Sequence, residues 1–148
     1  KYVLGDARAM NEAAVRGMAL FKGKARCLLC HNGPNFTDNQ FHNLGVPQVG
    51  PLKEDLGRYN VTRQEKDRGA FKTPTLRSIA ETAPYMHDGA FKTLDEVIDF
   101  KDGGGGQNPN LSPLVKPLGL TREEKSDLLA FLTALSGEPL KITVPKLP

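Results

Sequence analysis

Cys27 and Cys30 are separated by two residues, and His31 follows at once, in the run Cys27-Leu28-Leu29-Cys30-His31. Thiols at this spacing can do three kinds of chemistry. They can add to the two vinyl groups of a haem, with the adjoining imidazole beneath the iron. They can form a redox dithiol, or supply half of a zinc site. The haem chemistry needs this spacing because the vinyls are fixed on the ring and one turn of chain spans them. A thioredoxin-like dithiol needs a strand–helix–strand context, and the sequence shows no convincing alternation of apolar and polar residues. Zinc needs a ligand beyond Cys27, Cys30 and His31, for which His42 and His87 are candidates. We read Cys27 and Cys30 as covalent attachment points for one haem c, and His31 as an axial ligand to its iron.

The surrounding pattern supplies helices and long loops to position such a site. Ala14, Val15, Met18 and Phe21 predict a helix over residues 6–22, stopped by Gly23 just before the cysteine motif. Residues 32–70 are rich in Gly, Pro, Asn and Asp, and predict a long irregular loop with a short helix near Thr62–Arg68. A second short helix is expected around Thr75–Ile79. Thr93 and Glu96 form a capping box that opens a helix to about Lys101. Gly103 to Gly106 then break the chain. Thr121 and Glu124 open a last helix to Ser136, with Leu128, Leu129, Leu132 and Leu135 inward and Gly137 as its cap. The tail with Pro139, Pro145 and Pro148 reads as extended. These elements predict an all-α, cytochrome c-like domain over residues 1–148, its long irregular loops wrapped around one covalently bound haem. In such a domain the first and last helices cross.

Composition excludes other classes. The chain has 148 residues, 39% hydrophobic and 25% charged, which suits one folded globular domain. It has no Trp and 7% aromatic residues, a thin core that a buried porphyrin would fill. With only two cysteines three positions apart, a disulfide framework is excluded. The net charge of +3 lacks the Lys/Arg stripe interleaved with aromatics that nucleic acid requires, and suggests at most a diffuse preference for acidic redox partners. No apolar run approaches the roughly 20 residues of a membrane span. Lys1-Tyr2-Val3-Leu4 does not read as a secretory leader, so the chain reads as a mature or trimmed form.

Four further segments follow the cysteine motif in order. They are Phe41-His42-Asn43-Leu44-Gly45-Val46-Pro47, then Phe71-Lys72-Thr73-Pro74-Thr75-Leu76-Arg77, then Ala83-Pro84-Tyr85-Met86-His87-Asp88-Gly89, then Leu118-Gly119-Leu120-Thr121 with its Leu-rich helix. With Cys27–His31 and Asn32-Gly33-Pro34, this set resembles the C-terminal haem domain of the bacterial dihaem cytochrome c peroxidase and MauG family, over nearly the whole chain. The resemblance implies a periplasmic domain whose haem takes in or stores single electrons for a partner haem that meets peroxide. It implies a redox partner protein or a second haem domain as partner. The alternative is a peroxidase or oxidase acting at this haem, which requires an open sixth position. The chain is then either the C-terminal half of a dihaem protein or a single-haem relative.

The occupant of the sixth position separates these readings. The family places Met or Tyr fourteen residues past the His of the Pro-Tyr-x-His loop, and here Lys101 stands at that position. Lys101 completes the stripe of Leu94, Val97 and Ile98 at i, i+3, i+4 and i+7, so it points with the core-facing residues. It can snorkel to water at the helix C-terminus, or serve the iron as a neutral amine. Neutralising a free Lys at pH 7 costs about 4–5 kcal/mol. Met86 is the competing thioether ligand, although the family often has Phe there. His87 reads as a hydrogen-bonding residue beside the haem, and His42 as structural near its edge. The Arg77 fork suits a haem propionate, against the plainer alternative of a surface salt bridge, with Arg58 and Tyr59 as lesser candidates. The resemblance also implies that the carbonyls of Thr82 and Pro84 help to hold a calcium ion at an inter-domain site.

Overall fold

The computed structural model describes residues 1–51 and 54–137. Among the described residues four α-helices carry the domain: α1 (Glu12–Lys22), α2 (Tyr59–Thr62), α3 (Leu94–Asp102) and α4 (Arg122–Thr133). The chain is mainly helical, and its loops are long. Two short strands, β1 (Phe41–His42) and β2 (Phe71–Lys72), correct the expectation of a purely α domain. They pair antiparallel, Phe41 with Lys72 and His42 with Phe71. A ladder this short has no alternation for a sequence pattern to reveal.

The helix ends follow local side-chain chemistry. α1 begins at Glu12 rather than residue 6, because the Asn11 side chain accepts from the Ala14 N–H and caps it there. Asp6 caps a separate 3-10 turn over Ala7–Ala9. Both capping boxes form as the sequence predicts, Thr93 with Glu96 on α3 and Thr121 with Glu124 on α4. α4 ends at Thr133, not Ser136, and its cap is Ala134 rather than Gly137. The Leu135 and Ser136 N–H groups bond the carbonyls of Leu132 and Thr133, so the last turn tightens to i→i+3 spacing. The short helix expected near Thr62–Arg68 divides into α2 and a 3-10 turn over Glu65–Asp67. The helix expected at Thr75–Ile79 is displaced to a 3-10 turn over Ile79–Glu81. Ser78 just before it has φ +55°, which breaks any helix started at Thr75. The expected extended tail lies outside the described residues. Gly45 and Gly106 pass so closely that a Cβ on either would sit 2.4 or 1.9 Å from the other's carbonyl oxygen, which explains a Gly-rich run at this point.

α1 and α4 cross, and the crossing has no room for a side chain at Gly17. A Cβ there would lie 1.9 Å from the Asp127 carbonyl oxygen and 2.9 Å from the Phe131 Cβ. Beside this contact Asp127 is buried, 6% exposed, and its carboxylate accepts from Arg16 Nε and Nη2, both at 2.7 Å. The rings of Phe21, Phe131 and Phe36 meet edge-on at the crossing, with centroids 5.1–6.4 Å apart. Leu128 and Leu132 are buried as predicted, while Leu129 and Leu135 are only partly buried. Lys125 ties α4 to the end of α3 through Asp99 and Asp102, at 2.8 and 2.7 Å.

Gly17→Ala is expected to force the helices apart and destabilise the domain by about 1–3 kcal/mol, read as a lowered denaturation midpoint. The hydrogen bonds and charge of Arg16 hold the Asp127 carboxyl below the usual carboxylate range. A lowered folded-state pKa stabilises above the unfolded value of about 3.9, and that contribution is lost as pH falls through the folded value. The stability gap between the native chain and Asp127→Asn is therefore expected at pH 7 and should shrink on titration into acid.

Candidate haem site

The 3-10 turn over Cys27–Leu29 follows α1 directly and places the cysteine motif against a large cavity. The cavity has a volume of about 800 Å³, within the range of roughly 300–1,000 Å³ typical of ligand pockets. Cys27, Cys30, His31, Arg77, Met86, His87 and Lys101 all lie on its wall. Residues from four separate stretches of chain thus face one space. Leu94, Val97, Ile98 and Lys101, the stripe read from the sequence, face it together.

Burial shifts four titratable groups on this wall. It pushes the Cys27 thiol up to about 11. It also pushes the Cys30 thiol up, with the Asp38 charge acting the same way. Burial lowers the His31 imidazole, against the Phe36 carbonyl, which raises it. Burial likewise lowers the Lys101 amine, against the nearby Cys27 and Cys30. Each donor is moved toward its neutral form, which an imidazole or amine needs in order to offer a lone pair. The His31 Nδ1–H donates to the Phe36 carbonyl at 2.9 Å. A carbonyl can only accept, so Nδ1 carries the proton and Nε2 keeps its lone pair. Among the described residues no hydrogen bond or ion pair engages the Lys101 amine. A covalent haem fits this wall: two thiols, one oriented imidazole, and space of the right order.

The other candidate ligands are held differently. His87 stacks on Phe71 with centroids 3.6 Å apart and planes 13° from parallel, and its Nε2 lies 3.3 Å from Gln48 Nε2. Met86 sits in a loop at φ +72°, its side chain half-buried. His42 Nε2 donates to Asp38 Oδ2 at 2.8 Å. The zinc alternative lacks its geometry. Among the described residues the metal-ligating atoms that cluster within 4.8 Å of one another are those of Cys30, Asp38 and His42, without Cys27 or His31. Arg77 reaches the wall, but its Nε and Nη2 both donate to the Pro34 carbonyl. Arg58 lies over the Phe41 ring at 4.1 Å, and Arg68 lies over the Tyr59 ring at the same distance. The sequence reading missed the Phe36 carbonyl, Asp38 and the buried Asn43, whose amide bonds Arg68, Asn108 and Gly45. The Gly33-Pro34 turn signal was the one local hint of the first.

Known proteins resemble this chain in sequence and in architecture. The chain is 43% identical over 176 aligned residues to cytochrome-c peroxidase IdrP1 of Denitromonas iodatirespirans, covering all of this chain and 47% of that one. It is 42% identical over 148 residues to the methylamine utilization protein MauG of Methylorubrum extorquens, again along its whole length and 41% of the relative. The chain belongs to the cytochrome c peroxidase and MauG family. A solved MauG-like protein associated with microbial copper homeostasis superposes with a TM-score of 0.79 at 36% identity, covering 87% of this chain and 48% of that one. The chain spans about half the length of the curated family members it matches. No family model matches it. Among the described residues no helix is long and apolar enough to cross a membrane.

Proposed function

We propose that this chain is a haem c-binding electron-transfer domain, the C-terminal half of a dihaem peroxidase-like protein, passing single electrons to a partner haem. The observation that carries this reading is the placement of Cys27, Cys30 and His31 on one wall of a cavity that also receives the Lys101 amine, which has no hydrogen bond or ion pair among the described residues. When bound, the haem supplies one-electron chemistry at its iron. Cys27 and Cys30 hold it covalently. His31 offers Nε2 while its Nδ1 proton rests on the Phe36 carbonyl. Lys101 would supply the sixth ligand, its neutralisation favoured by the burial that lowers its pKa. His87 stays off the iron, engaged by Phe71 and Gln48. A filled sixth position suits electron transfer; an open one admits peroxide. The family name favours the second reading, a peroxidase or oxidase acting at this haem, and the Lys101 variants decide between the two.

Covalent attachment is made outside the cytoplasm, which supports a periplasmic location. The partner is a second haem domain or a redox protein. Among the described residues no hydrogen bond ends on the carbonyls of Thr82 or Pro84, which leaves both available to a calcium ion at an inter-domain site.

Haem is expected to remain with the polypeptide in acidified organic solvent, and its extraction into the solvent would refute the covalent reading. The ferric protein is expected to be low-spin, without the long-wavelength band of Met-to-iron charge transfer. It should turn high-spin as pH falls, because the amine must be neutral to bind. Lys101→Ala should make the spectrum high-spin at neutral pH, whereas Met86→Ala should leave it nearly unchanged. The reverse pattern assigns the position to Met86. A native spectrum that is already high-spin, with peroxide turnover at the rate of a dihaem enzyme, establishes the peroxidase reading.

A further inference from the structure

The Thr73–Arg77 segment directs its polar groups at one short stretch of backbone, the turn that follows His31. Thr37 Oγ1 donates to the Thr73 carbonyl at 2.7 Å, and Thr75 Oγ1 donates to the Asn35 carbonyl at 2.6 Å. Arg77 donates to the Pro34 carbonyl from Nε, at 2.9 Å, and from Nη2. Phe36, in the middle of this turn, has φ +52°. That left-handed conformation is uncommon for a bulky L-residue and must be held from outside. The tethers from Thr75 and Arg77 hold the backbone. The Phe36 ring is held by edge contacts with Phe21 and Phe131 and by the Arg77 guanidinium 5.0 Å above it. The result is a carbonyl fixed 2.9 Å from His31 Nδ1.

We propose that Arg77 and Thr75 are positioning residues for His31, acting through the Pro34–Phe36 turn, and that Arg77 does not serve a haem carboxylate. The proposal rests on the haem reading above. Its chemistry is that of an outer partner to a metal-bound imidazole. A firm Nδ1–H···O=C bond fixes the ring's orientation and tautomer and makes Nε2 a stronger donor. The two roles for Arg77 differ in what they ask of Thr75. Thr75 Oγ1 also accepts the Arg77 N–H at 3.1 Å, but a carboxylate partner does not need the Thr75–Asn35 bond, whereas a clamp on the turn uses that bond together with Arg77.

The test uses the native chain carrying its covalent haem, in the ferric state. Two quantities are read: solvent exchange of the His31 Nδ1 proton, followed by its hyperfine-shifted resonance, and the midpoint potential. Thr75→Val removes one tether without changing charge. It is expected to speed the exchange about ten-fold, the effect of losing roughly one hydrogen bond, and to raise the potential. Arg77→Met, which keeps the stem over Phe36, should speed exchange at least as much, and Arg77→Lys should restore part of the protection. Wild-type exchange in Thr75→Val overturns the proposal, even where Arg77→Met fails to fold. So does an Arg77→Met protein whose potential falls while its exchange is unchanged, the signature of a lost cation beside a carboxylate. A chain with no covalent haem shows no hyperfine-shifted signal in any variant, and then the haem reading falls as well.

Discussion

The contact between Gly17 and the Asp127 backbone is the constraint on which the haem wall depends. Two helices can approach this closely only where one carries no side chain. The approach brings the rings of Phe21 and Phe131 together, and Phe36 completes the cluster. Phe36 is the residue whose carbonyl takes the His31 Nδ1 proton. A helix crossing is thereby connected, through three aromatic rings and one turn, to the orientation of an imidazole. The bidentate Arg16–Asp127 pair reinforces the same crossing from the side, where removing one partner would leave a charge without its hydrogen bonds.

The cavity itself is an unusual feature for a domain of this size. Close packing normally leaves few voids, and a space of about 800 Å³ must be framed rather than filled. Leu94 and Ile98 line it from α3, and Leu128 and Leu132 from α4. Burial at this wall pushes Cys27, Cys30, His31 and Lys101 toward their neutral forms. Among the described residues no carboxylate contacts the Lys101 amine, and burial disfavours its charge. Isolated buried charge is costly, so a neutral amine with an electron-pair acceptor is the state such a setting favours.

The long connections are ordered without regular structure. Asn43 bonds Arg68, Asn108 and Gly45 and so joins three loops at one buried amide. Asp38, Asn43 and Asp55 each accept the N–H of a residue two positions on. These local bonds offer the backbone an alternative to helix or sheet, and they explain why Asn and Asp crowd residues 32–70. The two-residue ladder of β1 and β2 then aligns His42 and Phe71, and Phe71 in turn carries the ring of His87.

The sequence by itself determined what close neighbours decide. The Cys27–His31 motif, both capping boxes and the apolar stripe ending in Lys101 depend on residues no more than seven positions apart, and all were legible. The start of α1 was misread because Asp6 and Asn11 are both competent caps, and each in fact caps its own element. Tertiary structure decided everything carried by distant pairs. Arg16 meets Asp127 from 111 residues away, and Arg77 meets Pro34 from 43. No local pattern marks such partners, since any arginine has many acceptors within reach of some fold. Arg77 reads as a propionate candidate from its fork of donors and its place in the family's segment, and only the folded chain shows those donors directed at the backbone turn behind His31.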